Sequence, residues 1–327
     1  MNTLLLSTDS PESLACAVAE ACRFLGAGEP VALPTETVYG LAADALRPDA
    51  VLKIFEAKER PFFDPLIVHL PDLDWLERLA AIPADDTALV QRLTACFWPG
   101  PLTLVLPRRD LVPDMVASGL PTVALRMSAH PVFRAVVAAF GRPLAAPSAN
   151  RFGRISPTAA AHVMSELAGR IPLVVEGGAT AHGVESTIAA VAGGRIEILR
   201  SGPVTREELA EFAEVTAPGV VAKPVAPGQL KSHYAPRTPL RLTEHPQPVP
   251  GKRCGLLAWQ SAAPGFETVE ILSANGDLRE AATRLFAAMR RLDEAGLDLI
   301  LAEPVPETGL GVAILDRLRK AAHGTEE

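Results

Sequence analysis

The chain has 327 residues, which exceeds one ordinary hydrophobic core and predicts two domains. Hydrophobic residues make up 48% and charged residues 21% of the sequence, a composition typical of folded proteins that excludes general disorder. The formal net charge of −7 argues against a broad nucleic-acid-binding surface, although it leaves room for a local basic cleft that holds phosphates.

Cysteine usage and the first residues indicate the compartment. Cys16, Cys22, Cys96 and Cys254 form no C-x-x-C pair and have no histidine at zinc-like spacing, which argues against a disulfide framework or a metal cage. The stretch MNTLLLSTDS lacks the basic start and long apolar run of a secretory signal. No apolar run approaches the roughly 18 residues of a membrane span. We therefore expect a cytoplasmic protein without membrane contact.

Helices and strands alternate along the first 214 residues. Ser10 is a candidate N-cap and is followed by Pro11, so a helix is predicted from there to Gly26 or Gly28. Further helices are predicted in RPDAVLKIFEAKER from Pro48, around residues 87–97, in PVFRAVVAAF and from Pro157. Strands are predicted at PVALP, PLIVHL, LTLVLP, TVALRM, PLAA, PLVVE, STIAAV and RIEILR. The last two are joined by a tight Gly193-Gly194 turn, so we predict an α/β fold with a twisted, partly antiparallel sheet.

Composition changes after the first domain. Residues 215–240, including APGVVAKPVAPGQLKSHYAPRTPL, are rich in Pro and Gly and show no period, which predicts a linker between domains at 1–214 and 241–327. After it, KRCGLLAW and LDLILAEP read as strands, and LREAATRLFAAMRRLDEAG and GVAILDRLRKAA as amphipathic helices. We predict a small Rossmann-like α/β domain there.

Polar side chains cluster where elements of the first domain end. LPTETVYG places Thr35, Glu36 and Thr37 directly after a buried strand, so the triplet either caps the next segment or faces a ligand. Ser156 in SPT is either the N-cap of a proline-started helix or a ligand contact, and the two roles are compatible. His69, inside PLIVHLP, is either a satisfied core histidine or a ligand group.

Arg126 lies in an otherwise apolar strand, where its five N–H donors need a carboxylate or phosphate partner. Lys58, Arg60 and Arg200 also lie at element ends, and together these cations suggest an anionic ligand. Internal pairing with Glu36 and Glu185 is the competing explanation.

The familiar catalytic loops are absent from the sequence. It contains no GxxxxGK[ST] loop, no strand-turn-helix GxGxxG and no G-x-S-x-G elbow. Nucleophilic hydrolysis therefore has little support, and no protein nucleophile is predicted. The remaining candidate is a cleft of Thr, Ser, Arg and Lys.

Seven ordered motifs carry a resemblance to a known family. They are LPTETVYGLAADA, KERPFFDPLIVH, WPGPLTLVL, ALRMSAHP, APSANRFGRISPT, GVESTI and ILRSGP. In this order they resemble the YrdC-like family, which includes enzymes that make threonylcarbamoyl-AMP. The linker APGQLKSHYAPRTPL and the tail after it resemble the long, two-domain form of that family, so the resemblance spans nearly the whole chain.

The resemblance implies a nucleotidyltransferase that joins L-threonine, bicarbonate or CO2, and ATP into threonylcarbamoyl-adenylate with release of pyrophosphate. It implies Mg²⁺ bound through the ATP phosphates, with unknown protein ligands, and a link to tRNA only through the transferase that uses the product. By motif, threonine would contact Thr37, His69, Arg126, Ala146 and Ser186. ATP would contact Lys58, Arg60, Asp64, Thr122, Ser148, Ser156, Arg200 and Tyr234, with Lys58 and Arg60 stabilising charge. The linker would close over the site through Lys231, His233 and Tyr234.

The sequence also departs from the family pattern. The family commonly has a small residue at Glu59, Ser at Phe152, Pro at Ile155 and often Asp near Ala190. Phe152 and Ala190 bear on the shape of the phosphate pocket and on any metal contact. Two rival hypotheses are a carbamoyl-handling YrdC module, which would need acylphosphatase and zinc-finger segments, and a double-stranded RNA-binding module, which the negative charge disfavours.

Overall fold

The structure, a computed structural model, describes residues 2–216, 226–228, 230 and 233–323. Within these residues the strands form an eleven-stranded mixed sheet and a four-stranded parallel sheet, and helices pack against both. The α/β fold predicted from the sequence is confirmed.

The larger sheet belongs to the N-terminal part of the chain. Its helices are α1 (Pro11–Gly26), α2 (Pro48–Lys58), α3 (Asp74–Leu79), α4 (Ala84–Phe97), α5 (Asp114–Ala117), α6 (Pro131–Phe140), α7 (Ala160–Leu167) and α8 (Arg206–Ala210). Its strands are β1 (Leu4–Ser7), β2 (Val31–Leu33), β3 (Gly40–Asp44), β4 (Ile67–His69), β5 (Leu102–Pro107), β6 (Thr122–Arg126), β7 (Leu144–Ala145), β8 (Leu173–Glu176), β9 (Thr187–Ala192), β10 (Arg195–Arg200) and β11 (Val215–Thr216). They are ordered β1-β8-β2-β3-β7-β4-β6-β5-β9-β10-β11.

Local chemistry explains several element boundaries. Ser10 and Ser13 form a reciprocal capping box at the start of α1, with Pro11 in the first turn, as the sequence predicts. Helix α2 begins at Pro48 and ends where Glu59 adopts a left-handed backbone with φ of 54°. Strands β9 and β10 pair antiparallel across the Gly193-Gly194 turn, which confirms that prediction.

The predicted helix start at Pro157 is wrong. Helix α7 begins at Ala160, and the Ser156 hydroxyl donates to Glu185 instead of capping a helix. The Pro157 carbonyl accepts a 2.8 Å hydrogen bond from the Tyr39 backbone N–H, which commits this segment to a tertiary contact. Sequence reasoning also missed β3, whose small residues Gly40, Ala42 and Ala43 carry no period-2 signal because both of its faces are buried.

The C-terminal part forms the small α/β domain that the sequence predicts. Its strands are β12 (Leu240–Leu242), β13 (Cys254–Ala258), β14 (Thr268–Ile271) and β15 (Leu299–Ala302), and its helices are α9 (Leu278–Glu294) and α10 (Gly311–His323). The strands are all parallel, in the order β12-β15-β13-β14. Across the described ranges, no helix combines the length and apolar character needed to span a membrane.

The N-terminal and C-terminal parts of the chain share an apolar contact. Val38, Ile155 and Val184 from the N-terminal part belong to the same buried cluster as Leu285 and Phe286 of α9. Strand β11 pairs with β10, so residues up to 216 extend the larger sheet. Part of the linker proposed at 215–240, including Lys231, lies outside the described residues, and the domain limits stay a prediction.

Candidate functional site

A small polar cavity lies against the turn after β2, the ends of β4, β6 and β10, and the described linker residues. Its volume of about 40 Å³ is far below the roughly 300 Å³ at the lower end of ordinary ligand pockets. The lining residues are Thr35, Thr37, Val38, Gly40, Arg60, Ile67, His69, Arg126, Ala146, Pro147, Ser148, Glu185, Ser186, Arg200, Pro227, Gly228, His233 and Tyr234. Linker residues thus form one wall of the cavity.

The polar triplet after β2 forms a side-chain-stabilised turn. The Thr35 hydroxyl lies 2.8 Å from the Thr37 hydroxyl, donates to the Val38 carbonyl, and accepts the Thr37 and Val38 backbone N–H groups. This turn places Thr37 on the cavity wall. The triplet therefore shapes the next segment, as one explanation offered by the sequence has it, and Thr35 and Thr37 line the cavity, while contact with a ligand stays a prediction.

Arg126 forms a buried ion pair. Its Nη2 donates to Glu36 Oε1 at 2.6 Å and to the Thr37 hydroxyl at 3.0 Å, while Nε donates to the Gly100 carbonyl at 3.2 Å. Burial would raise the pKa of Glu36, but Arg126 and the Ser128 hydroxyl lower it to about 2. Nη1 takes no part in these bonds. Arg126 thus has the internal partner that the sequence suggested and keeps a donor for a ligand.

His69 is neutral and has a free ring nitrogen. Burial, with Arg126 nearby, lowers the pKa of His69 to about 3. Its ring packs on Phe133, with the two ring centroids 4.6 Å apart, and among the described residues Nδ1 has no hydrogen-bond partner. Beside it, the Ala146 N–H is already bonded to the Ile67 carbonyl at 2.9 Å. His69 therefore combines a core packing role with an unused polar atom.

Arg60 and Lys58 differ in their relation to the cavity. Arg60 lines it, with Nη2 2.8 Å from Asp64 Oδ2 and hydrogen bonds to the Asp64 and Pro65 carbonyls. Lys58 is buried behind the wall and donates to the Ser148 and Asn150 carbonyls, which fixes the loop after β7. Burial, with Arg60 nearby, lowers the pKa of Lys58 to about 7. Burial also raises the pKa of the Asp64 carboxyl.

Arg200 faces the cavity with hydroxyl and carbonyl partners. Its Nε donates to the Ser186 carbonyl at 3.1 Å, its Nη2 to the Ser186 hydroxyl at 3.0 Å, and its Nη1 to the Pro227 carbonyl at 3.4 Å. The Ser186 hydroxyl also lies 2.8 Å from that of Thr103. Arg200 is thus a buried cation bonded to neutral groups, which suits it to a ligand anion.

Glu185 connects the cavity to the C-terminal domain. One of its oxygens accepts the Ser156 hydroxyl, and the other accepts Arg317 Nε at 2.9 Å. Burial would raise the pKa of Glu185, but Arg317 and Arg200 hold it below its ordinary value. The carboxylate is therefore ionised and fully engaged.

The described linker residues close the cavity. The Tyr234 ring packs against His233 and Phe286, with centroids 4.2 Å and 5.6 Å away, and its backbone has a positive φ of 63°. Within the described ranges, the buried Tyr234 hydroxyl and His233 Nδ1 have no hydrogen-bond partner. Burial raises the pKa of the Tyr234 hydroxyl, which stays protonated. These are free polar atoms on a wall that faces Arg60 and Arg200.

The structure gathers nine of the sequence-predicted site residues on the cavity wall: Thr37, Arg60, His69, Arg126, Ala146, Ser148, Ser186, Arg200 and Tyr234. Lys58, Asp64 and Ser156 lie directly behind it through their contacts with Ser148, Arg60 and Glu185. Thr122 lies at the opposite end of β6 from Arg126, paired with Pro107, and is not on the wall.

Among the site-associated residues that sequence reasoning missed is Arg317. A signal was present, because Ile314, Arg317, Leu318 and Ala321 follow the three- and four-residue spacing of one buried helix face.

The residues that depart from the family pattern do not line the cavity. Phe152 packs edge-on against His233, with ring centroids 5.8 Å apart, so it contacts the linker wall. Ala190 packs with the apolar cluster of Ile67, Val105 and Ile188. Glu59 forms ion pairs with Arg151 and Arg170 at the surface. Ile155 packs in the apolar contact between the two domains.

Two family models match the chain. The Sua5, YciO and YrdC model, described as "Telomere recombination", matches residues 23–202, and the model "Threonylcarbamoyl-AMP synthase, C-terminal domain" matches residues 204–323. The chain is 42% identical to the threonylcarbamoyl-AMP synthase of Bacillus subtilis over 98% of this chain and 95% of that protein. It is 41% identical to the synthase of Pyrococcus abyssi over 92% of this chain and 93% of that protein.

Solved structures agree with these relatives. The structure of P. abyssi Sua5 complexed with L-threonine has a TM-score of 0.88 and 37% identity, covering 98% of each chain. A variant of the same protein, with a histidine and a tyrosine replaced by alanine, has a TM-score of 0.90 over 98% of this chain and 96% of that one. The motifs, the two-domain architecture and these matches along nearly the whole chain show that this enzyme belongs to the Sua5/YrdC family of threonylcarbamoyl-AMP synthases.

Proposed function

We propose that this chain condenses L-threonine, bicarbonate or CO2, and ATP into threonylcarbamoyl-AMP and pyrophosphate. The observation that carries the proposal is one polar cavity whose wall includes Arg126 and Thr37 together with Arg60 and Arg200. The family membership and the P. abyssi complex with L-threonine support threonine as a substrate. ATP and bicarbonate follow from the chemistry of that product.

Threonine would occupy the side formed by Thr37, His69, Arg126, Ala146 and Ser186. Arg126 Nη1 would meet the threonine carboxylate, while Nη2 remains beside Glu36 Oε1 at 2.6 Å. His69 is neutral there, so its free Nδ1 suits a polar contact without adding charge. This side would fix the amine where carboxylation produces a carbamate.

The nucleotide would occupy the side formed by Arg60, Ser148, Arg200 and Tyr234, with Lys58, Asp64, Ser156 and Thr122 further from the cavity. A carbamate oxygen attacks the α-phosphorus, the bond from that phosphorus to the bridging oxygen breaks, and pyrophosphate leaves with the electron pair. The protein's part is positioning and charge neutralisation by guanidinium groups, and no protein nucleophile is needed.

Mg²⁺ would enter with the ATP phosphates. Over the described residues no cluster of three or more His, Cys, Asp or Glu side chains could hold a metal. Of the nearby carboxylates, Glu185 is hydrogen-bonded by Arg317, whereas Asp64 lies 2.8 Å from Arg60 and, among the described residues, neither of its oxygens has a hydrogen-bond partner. Such surroundings suit an ion held mainly by phosphate and water, whose charge would help to neutralise the leaving group.

We further propose that the product serves the N6-threonylcarbamoyl modification of tRNA through a separate transferase. A rival, double-stranded RNA binding without catalysis, fits the net charge of −7 poorly.

The test of the synthase proposal is pyrophosphate release from ATP, with L-threonine, bicarbonate and Mg²⁺ omitted one at a time. We expect release only when all are present. An equal rate without threonine would refute the proposal. A chain that binds double-stranded RNA but releases no pyrophosphate would favour the rival.

A further inference from the structure

Arg317 is a fully buried charge on a helix of the C-terminal domain, with 0% of its side chain exposed. It lies on the apolar face of α10 with Ile314, Leu318 and Ala321. A buried guanidinium is costly unless its donors are used, and its partners therefore indicate what it does.

One partner, Asp316, is on the same helix and accepts from Arg317 Nη1 at 3.0 Å, and among the described residues Nη2 has no hydrogen-bond partner. The other two hydrogen-bond partners belong to the N-terminal, catalytic domain. Arg317 Nε donates to Glu185 Oε2 at 2.9 Å and Nη1 donates to the Ser201 carbonyl at 2.8 Å. The guanidinium carbon also lies 5.4 Å from the centre of the Tyr234 ring. One arginine thus contacts the Glu185 side of the cavity and the linker residue that closes it.

Glu185 transmits this contact to Ser156. Its second oxygen accepts the Ser156 hydroxyl, and the next residue, Ser186, bonds to Arg200. Loss of Arg317 would leave Glu185 with one fewer donor and free it to turn away from Ser156. Arg317 therefore contacts the cavity-lining residue Glu185 directly and is linked to Ser156 through Glu185.

A second arginine of the same domain holds the neighbouring residue. Arg290 of α9 donates through Nη2 to the Ile155 carbonyl and pairs with Glu166 at 2.6 Å. Ile155 immediately precedes Ser156. Two helices of the C-terminal domain therefore hold this segment: α9 bonds to the Ile155 carbonyl, and α10 is linked to the Ser156 side chain through Glu185. Apolar contacts already join the domains through Val38, Ile155 and Val184, so docking alone does not require these two charges.

We propose that Arg317 and Arg290 are positioning residues that hold Ser156 and Glu185 in the geometry that binds ATP. The C-terminal domain thereby completes the nucleotide side of the site without contacting substrate. This inference rests on the proposed function, because it assigns Ser156 to the nucleotide.

The main experiment compares Arg317→Met and Arg317→Lys with Arg319→Met. Arg319 lies on the same helix but is exposed and pairs with exposed Glu307 at 2.7 Å, which makes it a matched control. Steady-state pyrophosphate release gives the KM for ATP and for threonine. We expect Arg317→Met to raise the ATP KM at least about 10-fold and the threonine KM less than about 2-fold. Arg317→Lys should recover part of the loss, because an ammonium keeps the charge without the fork, and Arg319→Met should match wild type.

A double-mutant cycle shows whether Arg317 acts through Ser156. Ser156→Ala should itself raise the ATP KM, and adding Arg317→Met should change it less than about 2-fold further. If the two substitutions multiply each other's effect on the ATP KM, the proposal is wrong. A folded Arg317→Met variant with the wild-type ATP KM would overturn it as well.

If Arg317→Met does not fold, Arg317→Met with Glu185→Gln removes both buried charges and retains similar volume. Its ATP KM should match that of Glu185→Gln alone, and a further 10-fold rise would refute action through Glu185. A wild-type chain without threonine-dependent pyrophosphate release would instead refute the proposed function. ATP affinity measured by calorimetry on the same variants would then test the positioning role separately, with the same expected ratios.

Discussion

The Arg126 side and the Arg200 side of the cavity both place a buried arginine beside hydroxyl groups, but they draw on different parts of the chain. Arg126 is held by Glu36, Thr37 and Gly100, all from the catalytic domain. Arg200 donates to the carbonyl of Pro227, which is a linker residue. It also lies near Glu185, which is paired with Arg317 of the C-terminal domain. The proposed threonine side is therefore held by residues of the catalytic domain, whereas the nucleotide side also contacts the linker and, through Glu185, the C-terminal domain.

This difference has a mechanistic consequence. We propose that the threonine side binds its small substrate in a fixed geometry and that the linker wall moves to admit ATP, because the cavity has a volume of only about 40 Å³. Pro227, Gly228, His233 and Tyr234 form that wall. Closing it again after ATP enters would exclude water from the adenylate, which is the usual role of a closing segment.

Breaking the Arg126 pair should give the largest effect on the threonine side. Arg126→Met removes the proposed carboxylate partner and leaves Glu36 buried without its cation, so we expect about 3 kcal/mol of lost stability. In folded protein the threonine KM should rise about 30-fold, equivalent to about 2 kcal/mol, with a much smaller change for ATP. Urea denaturation and pyrophosphate kinetics measure the two effects.

Arg195→Met is the control for the Arg126 variant, because Arg195 and Glu214 form an exposed pair at 3.2 Å that contributes little. A second variant, Arg126→Met with Glu36→Gln, removes both charges and should recover stability without recovering threonine affinity. Equal losses of threonine and ATP affinity in the folded variants would reduce Arg126 to a structural ion pair.

The nucleotide side should differ in its response to pH because Lys58 is buried beneath it. Its pKa of about 7 lies below the ordinary value of 10.5, so the folded state binds fewer protons than the unfolded state between these values. Lys58 therefore contributes stability that is complete above about pH 10.5 and is lost as pH falls through about 7. Between pH 9 and 7, wild type should lose about 2 kcal/mol relative to Lys58→Met.

Urea denaturation at pH 7, 8 and 9 measures this difference. Glu36→Gln provides the contrast from the threonine side, because the Glu36 pKa of about 2 predicts no change relative to wild type over the same range. If the difference in unfolding free energy between Lys58→Met and wild type is also the same at all three pH values, Lys58 keeps its ordinary pKa in the fold.

The sequence predicts the two sides unequally for a physical reason. Thr37 and Arg126 are conspicuous because a polar group in an apolar strand needs a partner, and this local signal suffices. The contacts of Ser156 arise over longer separations: Glu185 is 29 residues away, and Arg317 is 132 residues from Glu185. Local reasoning therefore leaves Ser156 open between a helix N-cap and a ligand contact. In the structure the Tyr39 N–H bonds to the Pro157 carbonyl and the helix begins at Ala160, which removes the N-cap role.

The secondary structure is also predicted well where the signal is local and poorly where it depends on distant contacts. Elements with a clear period and a cap, such as α1 with Ser10 and Pro11, are predicted correctly. Strand β3 and the short helices α5 and α8 carry little periodic signal, because they have only four or five residues each and form through contacts with distant segments.

The smallest expected effect compares the two tyrosines of the chain, Tyr39 and Tyr234. The Tyr234 hydroxyl is buried and, within the described part of the chain, has no hydrogen-bond partner, whereas the Tyr39 hydroxyl donates to the Gly178 carbonyl at 2.8 Å. Removing an unpaired buried hydroxyl should raise stability, and removing a paired one should lower it. We expect Tyr234→Phe to gain about 1 kcal/mol and Tyr39→Phe to lose about 1 kcal/mol, measured by urea denaturation without substrate.

The same pair tests the linker wall, because the proposed partner of the Tyr234 hydroxyl is the nucleotide. Tyr234→Phe should raise the ATP KM about 5-fold, the equivalent of one ordinary hydrogen bond, while Tyr39→Phe should leave it unchanged. The stabilised variant would then bind ATP less well than wild type. The Tyr234 hydroxyl of wild type destabilises the empty site and would form a hydrogen bond only when ATP is bound. A Tyr234→Phe enzyme with unchanged ATP KM would limit the linker residue to packing between the domains.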